Sequence, residues 1–202
     1  MSESQTIIAL AGDPGGARAI IPVIRNLKQP VKLYAYHQAL ELFTKDLPHI
    51  TCHILPPNAG DEEALAIIKA EAASLILSAS SINTVNWEKY FFRAAKQANI
   101  PSIAVLDFWT SYRERFEINP GMLDACPDRI AVMDSKAKTD MIAEGFQPET
   151  IKVCGQPALD SLLEQRSPSF KDDKKALSQK INSDGTVFVL FVSQPMREFY
   201  EI

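Results

Sequence analysis

Two segments carry residue types that could do chemistry. The first is Gly12-Asp13-Pro14-Gly15-Gly16-Ala17-Arg18, which follows a short apolar run and leads into Ala17, Ile20, Ile21, Ile24 and Leu27 at helical spacing. Glycines let a backbone approach a ligand closely, and a helix N-terminus offers unpaired N–H groups to an anion. Arg18 adds a cation for a charge-assisted contact with phosphate. The spacing is neither GxGxxG nor GxxxxGK[ST], so the dinucleotide and P-loop readings fail. The alternative is a tight strand-to-helix turn with no ligand. Pro22 is expected to end or kink a helix, so that regular helix begins near it.

The second segment runs from Asp107 through Phe108, Trp109, Thr110, Ser111, Tyr112, Arg113, Glu114 and Arg115 to Phe116, after an apolar run ending at Leu106. An acid followed by aromatic residues and two arginines offers a carboxylate for hydroxyls, a stacking face for a sugar and cations for phosphate. Loops are where such residues collect. Asp107 and Arg113 are the favoured functional residues, with Trp109 and Tyr112 as the stacking platform. The alternative packs Phe108, Trp109 and Phe116 as core and leaves the arginines solvated. Ser78-Ala79-Ser80-Ser81 offers hydroxyls, Ser80 among them, or forms a plain turn. Asp134-Ser135 reads as a helix cap, and Gly155 with Pro157 as a hinge. Cys154 has no neighbouring base, so nucleophilic chemistry there is not expected.

These segments need elements to hold them. Thr6–Ala11, Val31–Tyr36, Thr51–Leu55, Leu75–Ser78, Ser102–Leu106, Arg129–Met133, Ile151–Val153 and Val187–Val192 read as strands, mostly continuous apolar runs that suit a parallel sheet covered on both faces. Between them, Asp61 is expected to cap a helix with Glu62 and Glu63 in its first turn and Leu65, Ile68 and Ala72 on one face. Trp87, Tyr90, Phe91, Ala94, Ala95 and Ala98 follow the spacing of a core-facing helix. Another helix starts at Asp134 or Ser135 and closes at Gly145. Strand–helix alternation of this kind predicts an α/β fold with a parallel sheet and right-handed crossovers.

Composition sets outer bounds. The chain has 202 residues, 46% hydrophobic, with 21 Lys plus Arg against 25 Asp plus Glu and a formal net charge of −4. That balance suits a globular domain and argues against a nucleic-acid partner. Cys52, Cys126 and Cys154 form no CxxC pair, and His37, His49 and His53 lack a companion cluster, so neither a disulfide framework nor a metal site is expected. With no signal-peptide pattern and no apolar run near the ~20 residues that span a bilayer, the reading is a cytoplasmic protein without an integral membrane segment. Residues 166–185 are polar and read as a linker with an exposed helix at 171–180. The apolar 187–192 strand beyond it reads as the opening of a second domain (186–202) after a first domain at 1–165.

The Gly-rich turn, the run PDRIAVMDSKAKTDMIAEGF, the strand and hinge IKVCGQPALDSL and the apolar strand beyond the linker together resemble the GT-B fold glycosyltransferases of bacterial cell-surface polysaccharide biosynthesis and the UDP-N-acetylglucosamine 2-epimerase-like group. The resemblance covers about residues 6 to 192 and rests on the order of loosely specified motifs. It implies a three-layer, Rossmann-like, acceptor-side N-terminal domain, with the first strand of a truncated second domain. It implies no cofactor, and as partners a nucleotide sugar, an acceptor, and a missing C-terminal domain or partner chain. Gly12, Gly15 and Gly16 match the turn that faces the interdomain cleft. Many members place a histidine shortly after those glycines. Here alignment on the glycines gives Ala17, and alignment on Pro22 gives Ala19. The proton-transfer role therefore passes to Asp13 or Asp107, and Asp107 also sits where the epimerase group keeps an acid.

Three readings follow. One is a glycosyltransferase-type domain, inactive without its second half. The second is a nucleotide-sugar 2-epimerase-like domain, and the third a non-catalytic sugar- or nucleotide-binding remnant. An apolar strand without a sheet of its own is an aggregation hazard. Removing residues 186–202 is therefore expected to raise solubility and leave the first domain folded. Loss of cooperative melting in the shortened chain would instead assign that strand to the first sheet.

Overall fold

In the computed structural model, residues 5–164 other than Ala59, together with Leu177, are described below. The chain divides into two units, Met1–Leu163 and Glu164–Ile202. The linker helix and the 187–192 strand expected from the sequence lie outside the described residues.

Seven parallel strands form one sheet: β1 Thr6–Ala11, β2 Val31–Ala35, β3 Cys52–Ile54, β4 Ala73–Ser78, β5 Ser102–Val105, β6 Arg129–Val132 and β7 Ile151–Val153. Their spatial order is β3-β2-β1-β4-β5-β6-β7. Strand order therefore reverses between β1 and β4, which pair from Thr6–Ala73 to Leu10–Ser78 with a register shift between Thr6 and Ile7. All six residues of β1 are buried, which is why its sequence is continuously apolar rather than alternating.

Helices cover both faces: α1 Pro14–Asn26, α2 Ala39–Asp46, α3 Asp61–Ala70, α4 Trp87–Ala98, α5 Ser135–Ala143 and α6 Pro157–Glu164. Alternate residues of β1 serve two cores. Ile7, Ala9 and Ala11 join Ile20 and Ile24 of α1 and Phe43 of α2. Ile8 and Leu10 join Ile68 of α3 and Trp87 and Phe91 of α4 on the other face. A third cluster places Phe92 of α4 with Leu106, Phe116, Ile130, Val132 and Met141. No helix among the described residues is long and apolar enough to cross a membrane.

Several local expectations change. Helix α1 starts at Pro14 and runs through Pro22. Pro14 suits the first helical position, where the missing N–H would be unpaired anyway. Pro22 is tolerated because Arg18, whose carbonyl loses its partner, lies on the exposed side of the helix. Gly60, not Asp61, is the N-cap of α3. Asp134 caps α5 by accepting the Ala137 N–H at 2.8 Å, and Gly145 closes that helix at φ +99°. Tyr90 and Ala98 of α4 stop at the rim of the core, half-buried. Ala72 lies outside α3, exposed, with a left-handed φ of +47°. That conformation costs a residue with a Cβ about 1 kcal/mol. Ala72→Gly should therefore leave stability unchanged or raise it by up to about 1 kcal/mol in urea unfolding. A clear loss of stability would refute the strain.

Candidate functional site

In an open parallel sheet, ligands bind beyond the carboxyl ends of the strands where the order reverses. Here that place is bounded by three loops, which follow β1, β4 and β5.

The β1–α1 turn is shaped by what its glycines lack. A Cβ on Gly12 would enter the ring of Tyr36, and one on Gly15 would meet the carboxylate of Asp107. A Cβ on Gly16 would stand 2.5 Å from the Cβ of Ala79. The space left by the missing side chains is thus taken by groups of the protein itself. Gly12 and Gly16 are buried, Gly15 and Arg18 exposed.

Asp13 occupies the N-cap position of α1 in extended conformation, yet its side chain makes no capping bond. It turns instead toward Asn83, whose amide nitrogen is 3.4 Å from both carboxylate oxygens. Partial burial raises the affinity of Asp13 for its proton, the Asn83 contact opposes this, and the neighbouring Asp107 adds to it.

Asp107 follows β5 and is anchored by Arg115. The Arg115 Nη1 donates to Asp107 Oδ1 at 2.8 Å, to the Ser80 carbonyl at 2.9 Å and to Ser80 Oγ at 3.2 Å, while Nε donates to the Thr110 carbonyl at 3.2 Å. Arg115 is 6% exposed. One guanidinium thereby ties the β4 loop to the β5 loop. Gln156 of the hinge donates to the backbone carbonyl of Asp107 at 3.0 Å.

Beneath Gly12 lies the group that the sequence analysis missed. Glu88, in the first turn of α4, is 1% exposed. Its Oε1 accepts the Gly12 N–H at 3.1 Å. Its Oε2 accepts from the Tyr36 hydroxyl and, at 3.2 Å, from Ser81 Oγ. Asn83 completes the cluster, its amide nitrogen 2.8 Å from the Tyr36 oxygen and 2.7 Å from Ser81 Oγ. Burial pushes the Glu88 carboxyl up to about 7 against these hydrogen bonds, and Asp13 pushes the same way. Tyr36, buried beside Glu88, holds its proton more tightly than an ordinary tyrosine.

Of the residues expected from sequence, Gly12, Asp13, Gly15, Gly16, Ser80 and Asp107 meet at this place. Three do not join them. Tyr112 is 2% exposed and sits in the third core cluster, where it offers no platform. Its hydroxyl has no hydrogen-bond partner among the described residues. Arg113 is spent on loop architecture: it donates to the Glu144 carbonyl at 2.6 Å and the Gly121 carbonyl at 3.0 Å, and pairs with Glu117 at 2.6 Å. Arg18 makes no ion pair among the described residues and faces solvent on α1. The aromatic residues divide. Phe116 is core, whereas Phe108 and Trp109 are 54% and 37% exposed and contact each other edge to face. Trp109 Nε1 donates to Asp134 Oδ2 at 2.8 Å, which fixes its ring at the rim. His37, Asn86 and Ser111, one in each of three rim loops, adopt left-handed backbone at φ +50°, +61° and +56°. Ala72 and Asn99, at helix ends away from this place, share that conformation. No group of His, Cys, Asp and Glu among the described residues could hold a metal ion.

No known family profile and no curated protein matches the sequence. Solved structures do match the fold. A UDP-GlcNAc 2-epimerase from Methanocaldococcus jannaschii superposes with a TM-score of 0.57 at 13% identity, over 89% of this chain and 54% of that one. The enzyme of the same name from Neisseria meningitidis, solved bound to UDP-GlcNAc, gives 0.57 at 14% identity, over 87% and 54%. That from Rickettsia bellii gives 0.59 at 18% identity, over 85% and 52%. The likeness is one of fold, a Rossmann-like parallel α/β sheet. This chain spans about half the length of each of those structures.

The raised Glu88 carboxyl sets a pH dependence of stability. The folded state favours the protonated acid, so its contribution is full below the ordinary value of 4.5 and is lost as pH rises through about 7. Thermal melting should show the wild-type chain losing stability across that window relative to Glu88→Gln, which cannot ionise. Parallel pH profiles for the two proteins would show that Glu88 does not titrate there.

Proposed function

We propose that the Met1–Leu163 unit is the sugar-facing wall of a GT-B type nucleotide-sugar enzyme. The observation that carries this reading is the meeting of Asp13 and Asp107 at the switch point, one with a raised proton affinity, the other anchored by Arg115. A carboxylate that holds its proton more tightly than usual is a better general base, and Asp13 takes that role at a sugar hydroxyl. Asp107 Oδ2, which makes no hydrogen bond among the described residues, is placed to accept one from a second hydroxyl. The exposed faces of Phe108 and Trp109 offer apolar surface to a pyranose ring. The N–H groups opening α1 favour negative charge nearby.

The reaction has two forms. In glycosyl transfer, Asp13 deprotonates the acceptor hydroxyl, and a second domain supplies the nucleotide site. Epimerisation of a nucleotide sugar is the second reading. The three similar structures favour it, since all carry the name of UDP-GlcNAc 2-epimerase. Both readings assign the diphosphate grip to the other half of the enzyme, so this chain alone should bind without turnover.

Titrating the 202-residue chain with UDP-GlcNAc should shift the amide resonances of Gly12–Gly16, Ser80–Asn83 and Asp107–Trp109, and Asp13→Asn should weaken binding about tenfold or more. No shift in those loops would remove the proposed site. Conversion of UDP-GlcNAc without an acceptor would select epimerisation, whereas acceptor-dependent release of UDP would select transfer.

A further inference from the structure

Glu88 has no part in the chemistry above, but its surroundings give it one. We propose that Glu88 is a positioning residue that sets the direction of the hydrogen bonds among Tyr36, Ser81 and Asn83, and thereby how firmly Asn83 holds Asp13. The proposal rests on the reading of the Gly12–Asp13 turn as facing the ligand.

Donor and acceptor identities carry the argument. The Gly12 N–H can only donate, so Glu88 Oε1 is always an acceptor and any proton on the carboxyl sits on Oε2. Oε2 meets two hydroxyls, Tyr36 and Ser81, which lie 3.3 Å from each other. The Asn83 amide nitrogen reaches both hydroxyl oxygens, and it too can only donate. Its side-chain oxygen is occupied by the Val85 and Asn86 N–H groups at 3.0 and 3.3 Å, which fixes the orientation of the amide.

With Glu88 ionised, both hydroxyls donate to Oε2 and both Asn83 hydrogens are accepted by the hydroxyls. Nothing is left for Asp13, consistent with its longer 3.4 Å separations. When Glu88 is protonated, Oε2–H donates to one hydroxyl, whose own O–H turns to the other hydroxyl 3.3 Å away. Each hydroxyl then accepts two hydrogen bonds instead of one, so both hold Asn83 more weakly and its amide is freer to bond Asp13. The same proton removes the repulsion between the two carboxylates. Both effects favour a fixed, ionised Asp13 when Glu88 is neutral, and the coupling is reciprocal.

The charged groups around Glu88 leave it to this network. Asp13 faces it from the β1–α1 turn, and Tyr36, with His37 edge-on to it, from the loop after β2. The β4–α4 loop presents only uncharged Ser81 and Asn83. Lys89, the next residue of α4, is drawn away to the Glu117 carbonyl at 2.9 Å. Arg115 is paired with Asp107 beyond Asp13. No ion pair to Glu88 exists among the described residues. The near-neutral titration of this carboxyl places the change of state in a range the protein can meet.

The test follows side-chain carboxyl carbons by NMR, in the full chain labelled at Asp and Glu, from about pH 4 to 9 for wild type, Glu88→Gln and Asp13→Asn. Gln keeps an acceptor for Gly12 and a donor for the hydroxyls, so it copies the protonated state and should fold. In the wild type the Asp13 signal should move a second time as Glu88 titrates. In Glu88→Gln that second step should vanish and Asp13 should titrate lower, while in Asp13→Asn Glu88 should titrate lower. UDP-GlcNAc affinity should fall about fivefold or more through the same range in wild type and stay level in Glu88→Gln. An Asp13 curve unaltered by Glu88→Gln would overturn the proposal, whatever that variant does to stability. Coupling seen without any nucleotide-sugar binding would support the positioning role and strike the proposed function instead.

Discussion

The site depends on close approach of backbone to side chain in the β1–α1 turn. With no Cβ at residues 12, 15 and 16, Tyr36, Asp107 and Ala79 can each lie against the turn from a different loop. Those loops follow β2, β5 and β4, which the parallel order brings around β1. A methyl group at Gly12 or Gly16 would have to displace packed atoms, and interiors at near-crystalline density yield little, while one at Gly15 would push the Asp107 carboxylate aside. The glycines are therefore first a condition for assembling the site. Whatever ligand enters meets a wall already closed from behind.

Electrostatics make that wall costly and useful. Three carboxyl groups, Asp13, Glu88 and Asp107, converge on one turn. Arg115 neutralises Asp107 and holds the carbonyl of Ser80 in the same grip. Glu88 lacks a cation and is satisfied by an amide, two hydroxyls and the favourable field of the α4 N-terminus. Burial still outweighs these and raises its proton affinity. Asp13 lies between these two regimes, half-buried beside a neutral amide. Each carboxyl differs from the others through its neighbours, which is how a site assembled from like groups acquires distinct roles.

The two arginines of the β5 loop show how far residue type alone reaches. Arg113 and Arg115 are two apart, and the sequence reading favours Arg113. In the fold Arg113 turns outward to the α5 terminus and the Gly121 turn, while Arg115 turns inward to Asp107. Tyr112, just before Arg113, is core, and Trp109, eligible as core, is at the surface. Loop residues carry no period from which their facing can be read, so only the tertiary path decides. Glu88 had left a trace. Phe91 and Phe92 are adjacent and both large, which means α4 is buried on more than one side. Residue 88 lies three and four positions before them, on that broadened face. A single apolar stripe was the wrong template for such a helix.

The sequence by itself determined the seven described strands to within two residues at each end and their parallel nature. Continuous apolar runs with turn residues after them have few other uses. It also placed Asp13 and Asp107 together in one hypothesis, because both follow strands at their carboxyl ends. The tertiary structure decided the rest: that α1 passes through Pro22, that Ala72 leaves its helix, that Arg115 and not Arg113 anchors Asp107, and that Glu88 lies beneath Gly12. The last two depend on what a distant segment brings into contact. Gly12 and Glu88 are 76 residues apart, and nothing local to either announces the other.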